Sequence, residues 1–298
     1  MAVGKKITDL TASESLKDTD LAIVHDGNGT KKSTLTQLSE YIGTKFSNPN
    51  LLINPDFKIN QRGKTSYEVT GFDYTVDRWR VSSSNVAVSE NGGLTIHSSG
   101  SAGSWFTQKL EKELEGIATL SIKVSSINGR ISLSSPSNNL FITSPGVYSI
   151  TLSDITEFNM YLDPNTSVTI EWTKLEKGSI ATPFIAPNPT EELMKCKRFF
   201  YKSPKTLIAY GIDDNIYIKS TEVMNMRGSG TVVIENTSAE NYIRYEGNKK
   251  TILLDVKNFA ISITDGYIRI ALKNNNLTNS KFVALDLNSV LTIDAEVY

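Results

Sequence analysis

Few residues in this chain are of the types that carry covalent chemistry, and their spacing argues against most of it. The two histidines are His25 and His97, and neither has a second histidine three to five residues away, so a local zinc pair is absent. A Ser-His-Asp triad is left open by sequence alone, but no Gly-x-Ser-x-Gly elbow is present. The run "GNGTKKST" (Gly27 to Thr34) has the glycine, lysine and serine content of a phosphate loop. It fails as one because Lys31 stands where the second glycine should precede Lys32 and Ser33, and a hairpin turn is the expected reading. Two carboxylates flanking a sugar bond suffice for glycoside hydrolysis, and Asp73 with Asp77, or Glu111, Glu113 and Glu115, are the sources available. Hard oxygen donors for a structural calcium occur at Asp163 to Asn165 and at Asp213 to Asn215, but such triplets are expected to be plain turns. No cofactor is expected otherwise. Cys196, the single cysteine, rules out an internal disulfide framework and is expected to be packed, as free cysteines usually are.

The elements that would position such groups are mostly strands. Residues 1 to 46 read as a small module. "LAIVH" is a strand, "DGNG" a turn, "TKKS" the return strand, and a short helix follows with Thr34 as N-cap and Gln37 as its capping-box partner. Leu35, Leu38, Tyr41 and Ile42 form the helix's apolar stripe. Its core would be tiny, so the module is expected to rest on a partner or on copies of itself. From Asn50 to 186, short alternating segments such as "LTIHSS", "SWFTQKL", "ATLSIKV", "RISLSS", "YSITL" and "FNMYL" predict a sandwich, with "EKELEG" (Glu111 to Gly116) as a charged turn. Trp79, Trp105 and Trp172 all lie in strand-like stretches and are expected in the core. Residues 187 to 203 predict a connecting helix capped by Asn188, with Pro189 at its first position and Leu193, Cys196, Phe199 and Phe200 on one face. Residues 204 to 298 return to strands, from "TLIAYGI" to "LTIDAEVY", and predict a second antiparallel β-sandwich. The fold class is therefore mainly β.

With 31 basic and 32 acidic residues the formal charge is −1, so no global field attracts nucleic acid or an anionic membrane. The densest basic cluster, Lys195, Lys197 and Arg198, fits one helix end. "MAVGKKITDL" lacks a signal-peptide core, and no apolar run approaches the roughly 20 residues of a membrane span. The expectation is a soluble product of a reducing cytoplasm; if it acts outside a cell, something other than secretion carries it there, as release inside a virion by lysis would.

The stretch "NLLINPDFKINQRG", then "YTVDRWR", and about ninety residues later "KLEKGSIATPF", resembles the opening and closing of the jelly-roll domains found in bacteriophage tail-fibre and virion-appendage proteins. "EELMKCKRFFYKS" is similar to the acidic-to-aromatic helix after that domain, and "EVMNMRGSGTVVI" with "LTIDAEVY" to the distal β-domain. The distal domain's usual Met-Arg-x-x-Pro run here reads Met226, Arg227, Gly228, Ser229, Gly230, without the proline. The resemblance implies a tail- or head-fibre protein of the virion, often trimeric. Residues 1–46 would attach to other virion proteins, a carbohydrate-binding-like jelly-roll would span 50–186, and the distal domain would face a host-surface glycan. In that setting Asp77-Arg78-Trp79 reads as architectural, a strand-start ion pair beside a buried indole. Sugar contact is expected from the distal Tyr210, Tyr217, Tyr242, Tyr245 and Tyr267. Adhesion is the leading expectation, a purely structural adaptor the second, and a glycan depolymerase the third, since no β-helix repeat is visible.

Overall fold

The structure, a computed structural model, describes residues 15–25, 27–43, 45–89, 92–98, 102–135, 138–202, 206–212, 215–219, 231–234, 241–245, 251–254, 259–264, 267–272, 281–286 and 291–294. The chain divides into two compact units, one of residues 1–49 with 180–185 and one of 50–179 with 186–298.

In the first unit, β1 (Leu21–His25) and β2 (Thr30–Thr34) form an antiparallel hairpin, with Gly27 and Gly29 at positive φ in its turn. Helix α1 (Leu35–Gly43) starts on the expected capping box. The Gln37 amide donates to Thr34 Oγ1 at 3.1 Å, and the Thr34 amide donates to Gln37 Oε1 at 3.0 Å. The segment 180–185 completes this unit: Ser47 Oγ donates to the Pro183 carbonyl, and Ile180 packs so closely on Gly43 that a Cβ there would meet it at 2.9 Å. No residue of α1 is buried, and Leu21, Ile23 and Tyr41 are exposed.

The second unit begins with eight antiparallel strands: β3 (Ser66–Tyr74), β4 (Arg80–Val88), β5 (Leu94–Ser98), β6 (Ser104–Asn128), β7 (Ile131–Ser135), β8 (Asn138–Ile142), β9 (Gly146–Leu162) and β10 (Ser167–Lys177). Their order is β3-β4-β5-β10-β6-β9-β7-β8, and β4 also pairs with β6, which makes the sheet barrel-like. Sandwich patterning follows from the period of two. Leu94 and Ile96, Leu120, Ile122 and Val124, Met160 and Leu162, and Val168 and Ile170 all enter one core. At its centre Trp79 stacks on Phe106 with centroids 4.6 Å apart, and Phe57 and Phe158 make T-shaped contacts with it at 5.1 and 5.3 Å.

One expected element is corrected. "EKELEG" is not a turn but the middle of the 25-residue strand β6. Leu114 is buried in the core and holds the strand in place, while register shifts after Lys109 and Leu114 accommodate the bend. Gly116 at φ +81° donates its amide to Asp154 Oδ1, and Asp154 itself sits at φ +52° on β9.

Helix α2 (Pro189–Lys197) is shorter than the 187–203 expectation. Asn188 Oδ1 caps the Thr190 and Glu191 amides, and the helix stops at Arg198. Phe200 therefore does not lie on the helix: it opens β11 (Phe200–Lys202), because a Phe-Phe-Tyr run suits a pleated, half-buried surface better than a fourth helical turn. The remaining strands are β12 (Thr206–Ile212), β13 (Asn215–Lys219), β14 (Thr231–Ile234), β15 (Asn241–Tyr245), β16 (Thr251–Leu254), β17 (Phe259–Thr264), β18 (Tyr267–Leu272), β19 (Lys281–Asp286) and β20 (Leu291–Asp294). They form a three-stranded sheet β11-β20-β14 and a seven-stranded sheet β16-β15-β19-β12-β13-β18-β17, all antiparallel. The mainly-β class is as the patterning requires.

Candidate functional site: an aromatic row on the central sheet

The acidic and arginine residues of the opening motif build structure. Asn54, fully buried at φ +56°, donates its amide to Glu192 Oε1 at 2.6 Å and its side chain to the Ile59 and Asp77 carbonyls. Its own carbonyl accepts the Trp79 indole N–H at 2.8 Å. Gln108 clamps Ile53 through both its amide atoms. Asp77 accepts from the Gln61 amide and side chain, and Arg78 donates to the Lys109 carbonyl while lying 3.7 Å over the Phe199 ring. Burial pushes the Asp77 carboxyl above the usual carboxylate range, and the Gln61 hydrogen bonds oppose that shift. Asp77-Arg78-Trp79 is thus a joint between the jelly-roll and α2, where Ile53, Ile59, Cys196 and Phe199 pack together.

Beside this joint lies a cleft of about 590 Å³, with Glu111, Glu113, Glu115, Lys112, Lys177 and Arg198 among its lining residues. Glu111 is engaged by Arg198 through two hydrogen bonds of 2.8 and 3.0 Å, the fork geometry of a structural ion pair. Glu113 and Glu115 line the same cleft.

His25 faces Thr30 across the hairpin, with Nδ1 3.5 Å from the Thr30 hydroxyl, and His97 is exposed on β5 opposite Asn85 and Ser167. The Asp163 carboxylate accepts from Arg130 Nε at 2.6 Å, and its carbonyl accepts the Ser98 hydroxyl, in a turn where Asn165 takes φ +55°. Asp213 and Asp214 lie outside the described residues. Among the described residues, no three His, Cys, Asp or Glu side chains are grouped to hold a metal ion, and no helix is long and apolar enough to cross a membrane.

The distal tyrosines occupy defined register positions. Tyr210 on β12 is opposite both Tyr217 on β13 and Phe282 on β19, and Tyr217 is opposite Arg269 on β18. Tyr267 pairs with Lys219 and Thr264, and Tyr242 with Asp286 and Leu253. Tyr245 pairs with Val283, which is itself opposite Ala209.

The central sheet carries a second set of aromatics. Trp105 on β6 is directly opposite Tyr161 on β9, with ring centroids 5.0 Å apart and planes at 56°. Tyr161 is opposite Ser132 on β7, and Ser132 is opposite Phe141 on β8. On the other side the Trp105 amide donates to Ser82 Oγ on β4, and Ser82 is opposite Phe72 on β3. One row therefore crosses six strands as Phe72, Ser82, Trp105, Tyr161, Ser132, Phe141. Phe72 is 39 %, Trp105 41 % and Phe141 58 % exposed, whereas the next residues along, Val81, Phe106, Met160 and Ile142, are buried. Arg80 lies 4.0 Å over the Phe72 ring and Arg130 4.9 Å over the Phe141 ring. Gly103 is required beside this row, because a Cβ there would collide with the Tyr161 ring and hydroxyl.

No protein-family model matches the chain, and no curated protein matches its sequence. Among solved structures, HutD from Pseudomonas fluorescens SBW25 aligns over 70 % of this chain and 91 % of its own, at 8 % identity and a TM-score of 0.17. Vicilin from hazelnut, Corylus avellana, aligns over 78 % and 85 %, at 9 % identity and a TM-score of 0.12. Neither similarity is close enough to carry an argument about function.

The expectation that all three tryptophans are core holds for Trp79 alone. Trp172 is half-buried on β10, and Trp105 is outward. The signal for Trp105 was in the chain: Trp105 and Phe106 are adjacent on a strand, so the pleat must turn one of them away from the core.

Proposed function

We propose that this chain is a non-enzymatic bacteriophage virion appendage, a tail or head fibre, that binds host-surface glycan. In this reading residues 1–46 join the protein to other virion components, and the chain works as a homo-oligomer, a trimer in keeping with the family it resembles. The observation that carries the reading is the exposed Trp105, which packs on the half-buried Tyr161 within the six-strand row. Pyranose rings present an apolar face that stacks on aromatic rings, and the Ser82 and Ser132 hydroxyls in the row are of the kind that bond sugar hydroxyls. The exposed apolar residues Leu21, Ile23 and Tyr41 support attachment through the first unit. Several copies held together would convert weak sugar contacts into useful avidity. The distal tyrosines would add contacts of the same kind.

The test is binding of the full chain to intact host cells and to a glycan array, compared with a Trp105→Ala variant. Binding that blocks infection and falls with the variant supports adhesion. A chain that binds neither, yet co-assembles with virion proteins, is the structural adaptor instead.

A further inference from the structure

We infer that the hairpin face bearing Leu21 and Ile23 is the seam through which copies of this chain hold one another. This rests on the homo-oligomer part of the reading above and not on its glycan part. Along β1 the exposure alternates: Leu21, Ile23 and His25 are exposed, and Ala22 and Val24 are half-buried. The pleat therefore turns one side of the hairpin inward and presents the other, with both large apolar side chains, to solvent. No described residue from 15 to 49 is buried, so this part of the first unit has no core of its own. The jelly-roll differs: Trp79, Phe106 and Phe158 are buried in a core that the second unit supplies by itself. A two-stranded hairpin is marginal alone, and a nine-residue helix with no buried residue adds little.

A second copy is the occupant that fits. Among its described residues the first unit exposes seven large apolar side chains, each by 46 to 73 %. With roughly 150–250 Å² available on each, they leave about 800 Å² uncovered, which is what one side of a stable protein–protein interface buries. Leu21 and Ile23, two apart on one strand, are the members that share a face. The charges are divided between the two strands. β2 carries Lys31 and Lys32 and no acid, β1 carries no lysine, arginine or carboxylate, and Asp18 and Asp20 precede it. In a closed ring the β2 edge of each copy faces the β1 edge of the next, so the lysines approach the neighbour's aspartates. Lys32, opposite Ile23, is exposed, and its long stem lets the ammonium reach the rim while the apolar face closes.

The experiment is the solution mass of the full chain, by sedimentation velocity across a dilution series from micromolar to nanomolar, with substituted chains beside it. The natural protein should sediment as a multiple of the 32.9 kDa chain. Leu21→Asp with Ile23→Asp places charge on the seam and should weaken association by roughly thirtyfold or more. Val147→Asp, at a site 60 % exposed on β9 of the second unit, should leave association unchanged. Ile23→Cys supplies a second readout that does not depend on how the charged variant folds. Cys196 is buried, so mild oxidation should join copies covalently through position 23 alone, and Val147→Cys should give no such product. A monomeric natural chain overturns the inference and the homo-oligomer reading with it. A multimer that survives Leu21→Asp with Ile23→Asp, or an Ile23→Cys chain that cross-links no more than Val147→Cys, overturns the inference and leaves the homo-oligomer standing.

Discussion

Trp105 and Tyr161 sit opposite each other on the two longest strands of the molecule, with ring centroids 5.0 Å apart, while their neighbours Phe106 and Met160 point into the core. One strand pair thus serves two surfaces. The inner row supplies cohesion, and the outer row leaves Trp105 partly exposed beside the half-buried Tyr161.

This division predicts opposite outcomes for two tryptophans. Trp79→Ala removes a fully buried indole that stacks on Phe106 and donates to the Asn54 carbonyl, and should cost about 3–5 kcal/mol. Trp105→Ala removes a ring that is 41 % exposed and pairs with Tyr161, so it should cost less, about 1–2 kcal/mol, yet weaken glycan binding by about tenfold. Denaturant unfolding of the two variants, set beside their glycan affinities, checks both halves.

The joint between jelly-roll and α2 makes its own prediction. Glu192 is buried and accepts the Asn54 amide at 2.6 Å, so Glu192→Ala leaves that buried donor without its acceptor and should cost about 1–3 kcal/mol. Glu192→Gln keeps an acceptor oxygen and should recover most of the loss. Urea midpoints of the pair measure this.

Asp77 gives a pH dependence with a definite sign. Burial raises its carboxyl in the folded chain above its unfolded value of about 4, so the folded state holds the proton more tightly. The stability this contributes is complete below the unfolded value and is lost as pH rises through the raised folded one. Asp77→Asn cannot titrate, so the stability of the natural protein relative to this variant should fall as pH rises from about 4 toward neutrality. Unfolding free energies of both across that range test it, and a relative stability that rises with pH would contradict the burial account.

In the first unit, Thr34→Ala removes the hydroxyl that accepts the Gln37 amide, while the backbone amide at position 34 can still donate to Gln37 Oε1, and should cost about 1 kcal/mol of local helix stability. Amide hydrogen exchange over residues 35–43 is the readout, since no buried residue of α1 compensates.

Local rules that act within a few residues were legible in the sequence. The Thr34 and Gln37 box, the Asn188 and Pro189 helix start, and the strands after 205 each depend on neighbours, caps or the period of two. Features set by distant packing were not. "EKELEG" has turn composition, but the core holds Leu114 and keeps β6 running through it. The run at Phe199 to Lys202 continues a helical stripe on paper, yet pairing with β20 takes Phe200 into a strand. The aromatic row is invisible along the chain because its members come from six strands and meet only through register. What sequence could have supplied was the outward turn of Trp105, forced by the inward turn of Phe106.

The most direct measurement is adsorption of the full chain to purified host envelope polysaccharide, with the natural protein beside Trp105→Ala and Tyr161→Ala. The account predicts saturable binding by the natural protein, about tenfold weaker binding by each variant, and cooperative thermal unfolding retained in both variants. Equal binding by all three, or none by the natural protein, would contradict it.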